Sequence, residues 1–86
     1  GTVRRGEKET LLTAKELAIL KKLNENRGKI VTFDALCSAA WGDSYYGYEN
    51  TLMVHIRHLR EKIEEDPSHP RWLLTARGLG YRLAKE

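Results

Sequence analysis

The clearest alternation of apolar and polar positions lies in residues 48–65, a run without glycine or proline. Its apolar side chains recur at i, i+4, i+7 and i+11, at Leu52, Ile56, Leu59 and Ile63. With about 100° of rotation per residue, these positions fall on one narrow stripe of a helix. The pattern therefore predicts one long helix over residues 48–65 that packs this stripe against a core.

The opposite side of the same predicted helix carries a mixture of polar, small apolar and cationic groups. Its members are Asn50, Thr51, Val54, Arg57, His58 and Glu61. A mixed face of this kind suits the groove of a partner better than it suits bulk water. We therefore treat this face as the candidate functional surface of the chain.

The residues before this helix predict a strand pair and a first short helix. Residues 2–12 alternate weakly around a Gly-Glu-Lys centre, which favours two short strands joined by a turn. Thr13 and Glu16 form a capping-box pattern, so a helix is expected over residues 14–26. Gly28 is able to adopt the left-handed backbone conformation that commonly ends a helix. An extended link over residues 29–31 is expected to follow.

The rest of the chain predicts a second helix and a hairpin around the long helix. Thr32 is a typical N-cap for a helix over Phe33–Trp41 that ends at Gly42, and the loop GDSYYG, residues 42–47, follows it. Prolines at 67 and 70 stop the long helix, and residues 72–84 form two apolar-rich runs around the glycines of an Arg-Gly-Leu-Gly bend. This order describes an α+β winged helix-turn-helix fold, with three helices, a short N-terminal antiparallel sheet and a C-terminal β-hairpin wing.

Composition and charge add a preference for a polyanionic partner. The 86 residues carry 15 Lys and Arg against 12 Asp and Glu, which gives a formal charge of +3. This length predicts a single domain over residues 1–86. A single cysteine, Cys37, excludes an intrachain disulfide and favours a reducing, cytoplasmic compartment. No apolar run approaches the roughly 18 residues of a membrane span, so no membrane association is expected.

Four segments of the sequence occur in the order found in one known family: LTAKELAIL, VTFDALCSAAWG, NTLMVHIRHLREKIE and LLTARGLGYRL. They resemble the OmpR/PhoB-type effector domain, the output module of two-component response regulators. The HIxxLRxKI run coupled to the TxRGxGYR hairpin is the specific part of the match. The resemblance implies sequence-specific binding of double-stranded DNA, in tandem repeats, after a sensor histidine kinase acts on a separate receiver domain. It also implies a four-stranded N-terminal sheet, so the sheet is expected to be truncated here and the receiver domain to be absent from this chain.

The resemblance assigns roles to single residues of the recognition helix, about residues 49–65, and of the wing, about residues 72–84. Phosphate-binding positions are Thr51, Arg57 and Arg60; base-facing positions are Asn50, Val54 and His58; the wing residue that enters the minor groove is Arg77. The loop residues Asp43, Ser44, Tyr45 and Tyr46 match a segment that can contact RNA polymerase. The sequence departs from the family pattern at Asn50 and His58, where arginine is common, and at Met53, where aspartate is common. The base preference of relatives therefore does not transfer to this chain.

Several of these residues also have a structural alternative. Arg57 has Glu61 at i+4, a helix pair worth at most about 0.5 kcal/mol, and Arg60 has Glu64 at the same spacing. Val54 alone would be an ordinary exposed apolar residue, and Arg77 an ordinary turn cation. The three acidic residues 64–66 are expected to form a solvated helix end.

Other chemistry has weaker support in the sequence. His55 and His58 would need Cys37 or the distant His69 to complete a metal site, so no metal or other cofactor is expected. Cys37 and the aromatic residues Trp41, Trp72 and Tyr81 lie among aliphatic residues and are expected in the core, rather than as a nucleophile or a base-stacking surface. No catalytic arrangement is recognisable, so an enzyme is not expected. A second possible function, of another class, is a protein-interaction winged helix whose GDSYYG loop binds a partner protein.

Overall fold

The elements of the chain follow the predicted order in the computed structural model, which describes residues 2–5, 8–42 and 49–85, with the backbone alone at 3–5, 8, 49 and 50. They are β1 (Thr2–Arg5), β2 (Lys8–Leu11), α1 (Ala14–Glu25), β3 (Ile30–Thr32), α2 (Phe33–Trp41), α3 (Glu49–Ile63), β4 (Leu73–Ala76) and β5 (Gly80–Leu83). The helices, the N-terminal strand pair and the C-terminal hairpin confirm the predicted α+β winged-helix fold.

The first helix begins as its sequence predicts. Thr13 Oγ1 accepts a hydrogen bond from the backbone N–H of Glu16 at 3.2 Å, and Glu16 Oε1 accepts one from the backbone N–H of Thr13 at 3.0 Å. This reciprocal capping box satisfies amide groups that a helix start leaves unpaired. α1 ends at Glu25, one residue before the predicted end, and Gly28 has the expected left-handed backbone with φ of 84°.

The second helix is held at both of its ends. Thr32 Oγ1 accepts a hydrogen bond from the backbone N–H of Ala35 at 3.1 Å, and the backbone N–H of Gly42 donates to the carbonyl oxygen of Ser38 at 2.8 Å. Cys37 is 1% exposed, so its prediction as a core residue is confirmed. The predictions for the loop residues Asp43, Ser44, Tyr45 and Tyr46 lie outside the described residues.

The predicted extended link after α1 is in fact a strand, β3. β3 pairs antiparallel with β5, which also pairs with β4, so the C-terminal sheet has three strands in the order β3-β5-β4. A Cβ atom added to Gly80 would lie 1.9 Å from the carbonyl oxygen of Val31. Gly80 is therefore required for the close approach of β3 and β5, whereas Gly78, with φ of 74°, is the glycine of the bend.

The third helix carries the predicted stripe into the core. Leu52, Ile56 and Leu59 are at most 1% exposed, and Ile63 packs against their cluster while remaining partly exposed. The three aromatic residues predicted to be in the core lie in or against this cluster: Trp41, Trp72 and Tyr81. The stripe fixes the rotation of α3 about its axis and so decides which of its side chains face outward.

The end of α3 differs from the prediction. The helix ends at Ile63, and Glu64, which was expected in a solvated helix end, has a side chain that is only 1% exposed. Its carboxylate accepts hydrogen bonds from the backbone N–H groups of residues 71, 72 and 73 at 2.8, 2.9 and 2.7 Å. The chain folds back after Pro70, and the Glu64 carboxylate binds the segment that enters the wing to the end of α3. Glu65 and Asp66 are exposed, as predicted.

The N-terminal strands form the predicted antiparallel pair, with Thr2 opposite Leu11. Leu11 is 71% exposed, whereas the next residue, Leu12, is buried, so the core begins directly after β2. Lys62 Nζ donates a hydrogen bond to the carbonyl oxygen of Leu11 at 3.2 Å. This bond links the C-terminal end of α3 to the N-terminal strand pair.

Candidate nucleic-acid interface

The face of α3 opposite its buried stripe is exposed over the described residues. Thr51, Arg57 and Glu61 are exposed, and the apolar side chain of Val54 is 43% exposed. The side chain of Asn50 lies outside the described residues. The structure therefore brings a hydroxyl, an apolar group and a guanidinium onto one surface. Such a set of groups is able to contact both phosphates and base edges.

His58 stands at the edge of this face rather than at its centre. Its side chain is half-buried, and its positive charge helps to lower the pKa of Glu16 on α1. At about 100° per residue, His58 lies between the exposed Val54 and the flank of α3 that carries His55 and Lys62. Contact between His58 and a base edge stays a prediction.

Arg60 is bound within the protein on the opposite flank of α3. Its Nε donates a hydrogen bond to the carbonyl oxygen of Leu73 at 3.0 Å, and its Nη2 donates to Thr75 Oγ1 at 2.8 Å. The guanidinium also lies 5.7 Å from the centre of the Tyr81 ring. Burial raises the pKa of Tyr81, and the nearby charge of Arg60 opposes that rise. Arg60 therefore ties α3 to β4 and β5, and its contact with a phosphate stays a prediction.

The wing presents Arg77 at its tip. β4 and β5 are joined by a tight turn in which the backbone N–H of Leu79 donates to the carbonyl oxygen of Ala76 at 2.9 Å. Arg77 is exposed, and Leu79 is 56% exposed. The backbone N–H of Phe33 donates to the carbonyl oxygen of Leu79 at 3.2 Å, which holds the turn against the start of α2. Arg77 is thus displayed on a turn with a fixed backbone.

An ion pair fixes the flank of α3 that faces α1. Lys62 Nζ lies 2.5 Å from Glu16 Oε1, and the side chain of Glu16 is only 2% exposed. Burial raises the pKa of Glu16, but the hydrogen bonds from Lys62 and Thr13 and the charges of Lys62 and His58 together bring that pKa below its ordinary value. The capping pattern identifies Glu16 in the sequence but gives no sign of Lys62, which lies 46 residues away.

His55 lies on the same flank and packs against the end of α2. Its ring centre is 5.5 Å from that of Trp41, and its buried Nδ1 has no hydrogen-bond partner among the described residues. Burial lowers the pKa of His55; Glu16 acts to raise it, and His58 and Lys15 act to lower it further. The lowered pKa favours the neutral imidazole, and the ring packs against Trp41. Within the described ranges, no three His, Cys, Asp or Glu side chains are grouped as metal ligands.

A hollow of about 480 Å³ lies away from the exposed face of α3. It is lined by Leu17, Leu20, Lys21, Asn24, Arg27, Ile63, Trp72 and Leu83. Arg27 on its rim is bound to Asn24 Oδ1 and to the carbonyl oxygen of Ala84. Its apolar lining side chains lie in or pack against the hydrophobic core, and its polar side chains lie at the surface.

The fold and the exposed surface of α3 beside the wing define the class of the protein as a winged-helix nucleic-acid-binding domain. The sequence matches the family described as "Transcriptional regulatory protein, C terminal" over residues 7–83. The chain belongs to this family, the OmpR/PhoB-type DNA-binding output domains of two-component transcriptional regulators, which are not enzymes. The resemblance drawn from its motifs is thereby confirmed.

Individual relatives are similar over nearly the whole chain. The Regulatory protein VanR of Enterococcus faecium is 42% identical over 80 residues, which cover 92% of this chain and 35% of VanR. The response regulator DrrB, an OmpR/PhoB homologue of Thermotoga maritima, is 36% identical with a TM-score of 0.78 and matches 90% of this chain and 35% of DrrB. The DNA-binding domain of RstA from Klebsiella pneumoniae, solved in complex with the RstA box, is 29% identical with a TM-score of 0.81, over 96% of this chain and 82% of that domain. The chain thus spans about a third of VanR and of DrrB.

None of the helices in the described ranges combines the length and the apolar character that a membrane span requires.

Proposed function

We propose that this domain binds double-stranded DNA sequence-specifically, with α3 in the major groove and the wing at the adjacent minor groove. One observation carries the proposal: the buried stripe sets the rotation of α3, and Arg60 bonds α3 to β4, so the exposed face of α3 lies beside the wing and is connected to it. A recognition helix beside a wing suits simultaneous contacts in neighbouring grooves. The related RstA DNA-binding domain was solved in complex with the RstA box, which supports DNA binding by this domain.

The proposed contacts divide into two kinds. Thr51, Arg57 and Arg60 bind phosphates and set the position of α3 on the duplex, and Arg77 enters the minor groove from the wing. Asn50, Val54 and His58 face base edges and set the preferred sequence. The exposure of Thr51, Val54, Arg57 and Arg77 supports contact of these side chains with a duplex.

Arg60 has a double role in this proposal, because two of its nitrogens already hold the wing. A guanidinium carries five N–H donors, so donors remain for a phosphate oxygen. Its contribution to affinity therefore comes both from its charge and from the position in which it holds α3.

The proposal extends to the regulator to which the domain belongs. A receiver domain phosphorylated by a sensor histidine kinase controls a cytoplasmic regulator that binds tandem DNA repeats, and the loop residues 43–46 contact RNA polymerase. The share of VanR and DrrB that the chain spans, about a third, supports a separate regulatory portion. Replacing Tyr45 and Tyr46 by alanine would then leave DNA binding intact but lower transcription activation, and unchanged activation would contradict the loop contact.

Selection of bound duplexes from a random library tests the proposal directly. The expected result is an enriched sequence motif, with an affinity that falls as salt rises because Lys and Arg release counterions from phosphates. Absence of any duplex binding at low salt, even on tandem sites, would overturn it. In that case the protein-interaction alternative would become the leading function.

Two single substitutions test the division between phosphate and base contacts. Arg57→Ala is expected to lower affinity for all sequences alike and to reduce the salt slope by about 1, since one phosphate contact is lost. His58→Ala is expected to alter the preference at one base position by about 1–3 kcal/mol. An equal loss across the whole library in both variants would contradict the division. Glu65→Ala, an exposed residue outside α3, is the control.

A further inference from the structure

Met53 is an exposed apolar residue next to the candidate interface. Its side chain is 57% exposed, more than that of Val54 beside it. Met53 lies one helical turn before Arg57, and both line a shallow hollow with Val54, Ile56, Arg60 and Tyr81. The hollow lies between α3 and the wing, because Tyr81 belongs to β5.

We propose that Met53 is a further specificity-determining residue, which contacts the C5-methyl group of a thymine in the major groove. The inference rests on the proposed DNA-binding function and adds the kind of base that this side chain recognises. The thymine methyl is the apolar group that base pairs present in the major groove. A thioether accepts hydrogen bonds only weakly, so Met53 gains little from a polar base edge.

The position of Met53 in α3 makes this contact accessible. α3 begins at Glu49, so Met53 lies in its N-terminal part, the part of a recognition helix that contacts base edges. Side chains on a helix lean toward its N-terminus, and the unbranched methionine adapts to the position of a base.

The neighbours of Met53 favour a contact with DNA over a protein partner. Single exposed apolar residues are common on protein surfaces, so exposure alone indicates nothing. Here the guanidinium of Arg60 is held by Leu73 and Thr75 on one side of the hollow, and the exposed Arg57 follows one turn later. An apolar group flanked by two cations matches a base edge that lies between negatively charged phosphates.

Replacement of single thymines by deoxyuridine tests the contact, because uracil pairs identically but lacks the methyl group. We would measure the affinity of the 86-residue chain for its selected duplex and for each singly substituted duplex. At one position, the wild type is expected to lose about fourfold in affinity, the value of one buried methyl group. Met53→Ala should bind the unmodified duplex correspondingly less tightly and should lose little further at that position. Ile30→Ala, a substitution of another partly exposed apolar residue on β3, is the matched control and should keep the fourfold effect.

Other outcomes separate the inference from the proposed function. Specific binding of the selected duplex with no effect of any deoxyuridine would overturn the role of Met53 and leave the proposed function standing. An equal deoxyuridine effect in the wild type and in Met53→Ala would assign the methyl to another side chain and would also overturn it. Failure to bind any duplex specifically would overturn both.

Met53→Asp provides a second test with a positive readout. A carboxylate accepts a hydrogen bond from cytosine N4, so selection with this variant should replace the thymine by a cytosine at the same position. Both substitutions are at an exposed helical site, and circular dichroism would verify that each variant is folded. An unchanged thymine preference in a folded Met53→Asp variant would contradict the assignment.

Discussion

The two sides of α3 relate to the rest of the molecule in opposite ways. On the inner side and its flanks, the polar side chains are bonded within the protein. Arg60 is bound to β4, and Lys62 is bound to Glu16 and Leu11. Just beyond the helix, the carboxylate of Glu64 is bound to the chain that enters the wing. On the outer face, the structure gives the described side chains no hydrogen bond or ion pair: Thr51, Met53, Val54, Arg57 and Glu61. Both sides carry charged side chains, so charge alone does not tell which residues stabilise the fold and which are candidates for contact with DNA.

This difference indicates that the effect of a substitution depends on whether the side chain is bonded within the fold. Replacement of an inner residue leaves buried polar groups unpaired and lowers the free energy of unfolding. Replacement of an outer residue leaves the fold intact and changes only what the domain binds. The following substitutions test this contrast, in order of decreasing expected effect on stability.

Glu64→Ala is expected to have the largest effect. It removes the acceptor of three backbone N–H groups, one of them fully buried, and lowers the free energy of unfolding by about 4 kcal/mol. Urea unfolding followed by circular dichroism measures this change. Glu65→Ala, one residue along and exposed, is the matched control and should stay within about 0.5 kcal/mol of the wild type. Similar stabilities for the two variants would contradict the proposed difference between bonded and exposed residues where it is expected to be largest.

Arg60→Ala should lower the free energy of unfolding by about 2 kcal/mol, since it breaks two hydrogen bonds and a contact with the Tyr81 ring. Arg57→Ala, on the outer face three residues earlier, should change it by less than about 0.5 kcal/mol. Both variants should bind DNA more weakly. Parallel urea unfolding and duplex titration measure the two effects. Equal destabilisation by the two substitutions would show that the outer face also supports the fold.

Glu16→Gln should show its effect through pH. The pKa of Glu16 is lowered in the folded protein, so its ionised form stabilises the fold above the ordinary value of 4.5, and this contribution is lost as pH falls through the folded value. The variant should lose about 1.5 kcal/mol of stability at neutral pH through its weaker bond to Lys62. Its stability should then fall less steeply than that of the wild type below pH 4.5. Measurement of urea unfolding across this range should give converging curves, and parallel curves would exclude a lowered pKa.

Thr51→Val should have the smallest effect on stability, within about 0.5 kcal/mol, because its exposed hydroxyl has no bond to any residue that the structure describes. In the proposed role it loses one phosphate hydrogen bond, and its affinity for DNA should fall about fivefold. Thermal unfolding measures the change in stability, and duplex titration measures the change in affinity. Unchanged affinity would remove Thr51 from the set of phosphate contacts.

The sequence predicted the features of the fold that depend on neighbours within about one or two helical turns. Thr13 and Glu16 lie three residues apart, and the stripe of α3 repeats every three or four residues. Both predictions are confirmed. The strand β3 was predicted only as a link, because its pairing partner, β5, begins with Gly80 far along the chain. Periodicity carries no information about such a distant partner.

The same limit applies to the candidate site. Helix periodicity placed Thr51, Val54 and Arg57 on one exposed face, and the family resemblance added Arg77. Neither source identified the bonds of Arg60 to the wing or the burial of Glu64, since both depend on how residues 71–75 fold back over α3. The sequence pattern at residues 64–66, three acidic residues before a proline, is typical of an exposed helix end. Only the tertiary structure shows that Glu64 is buried whereas the next two residues are exposed.

The bonds from Arg60 and Glu64 to residues 71–75 set a fixed span between the recognition helix and the wing. In the proposed mode of binding, these bonds oppose a change of this span in the protein, so a duplex whose grooves do not match it would have to deform elastically. Flexible pyrimidine–purine steps deform at lower cost than stiff A-tracts. Base pairs between the two contacted grooves would therefore influence affinity although no side chain touches them.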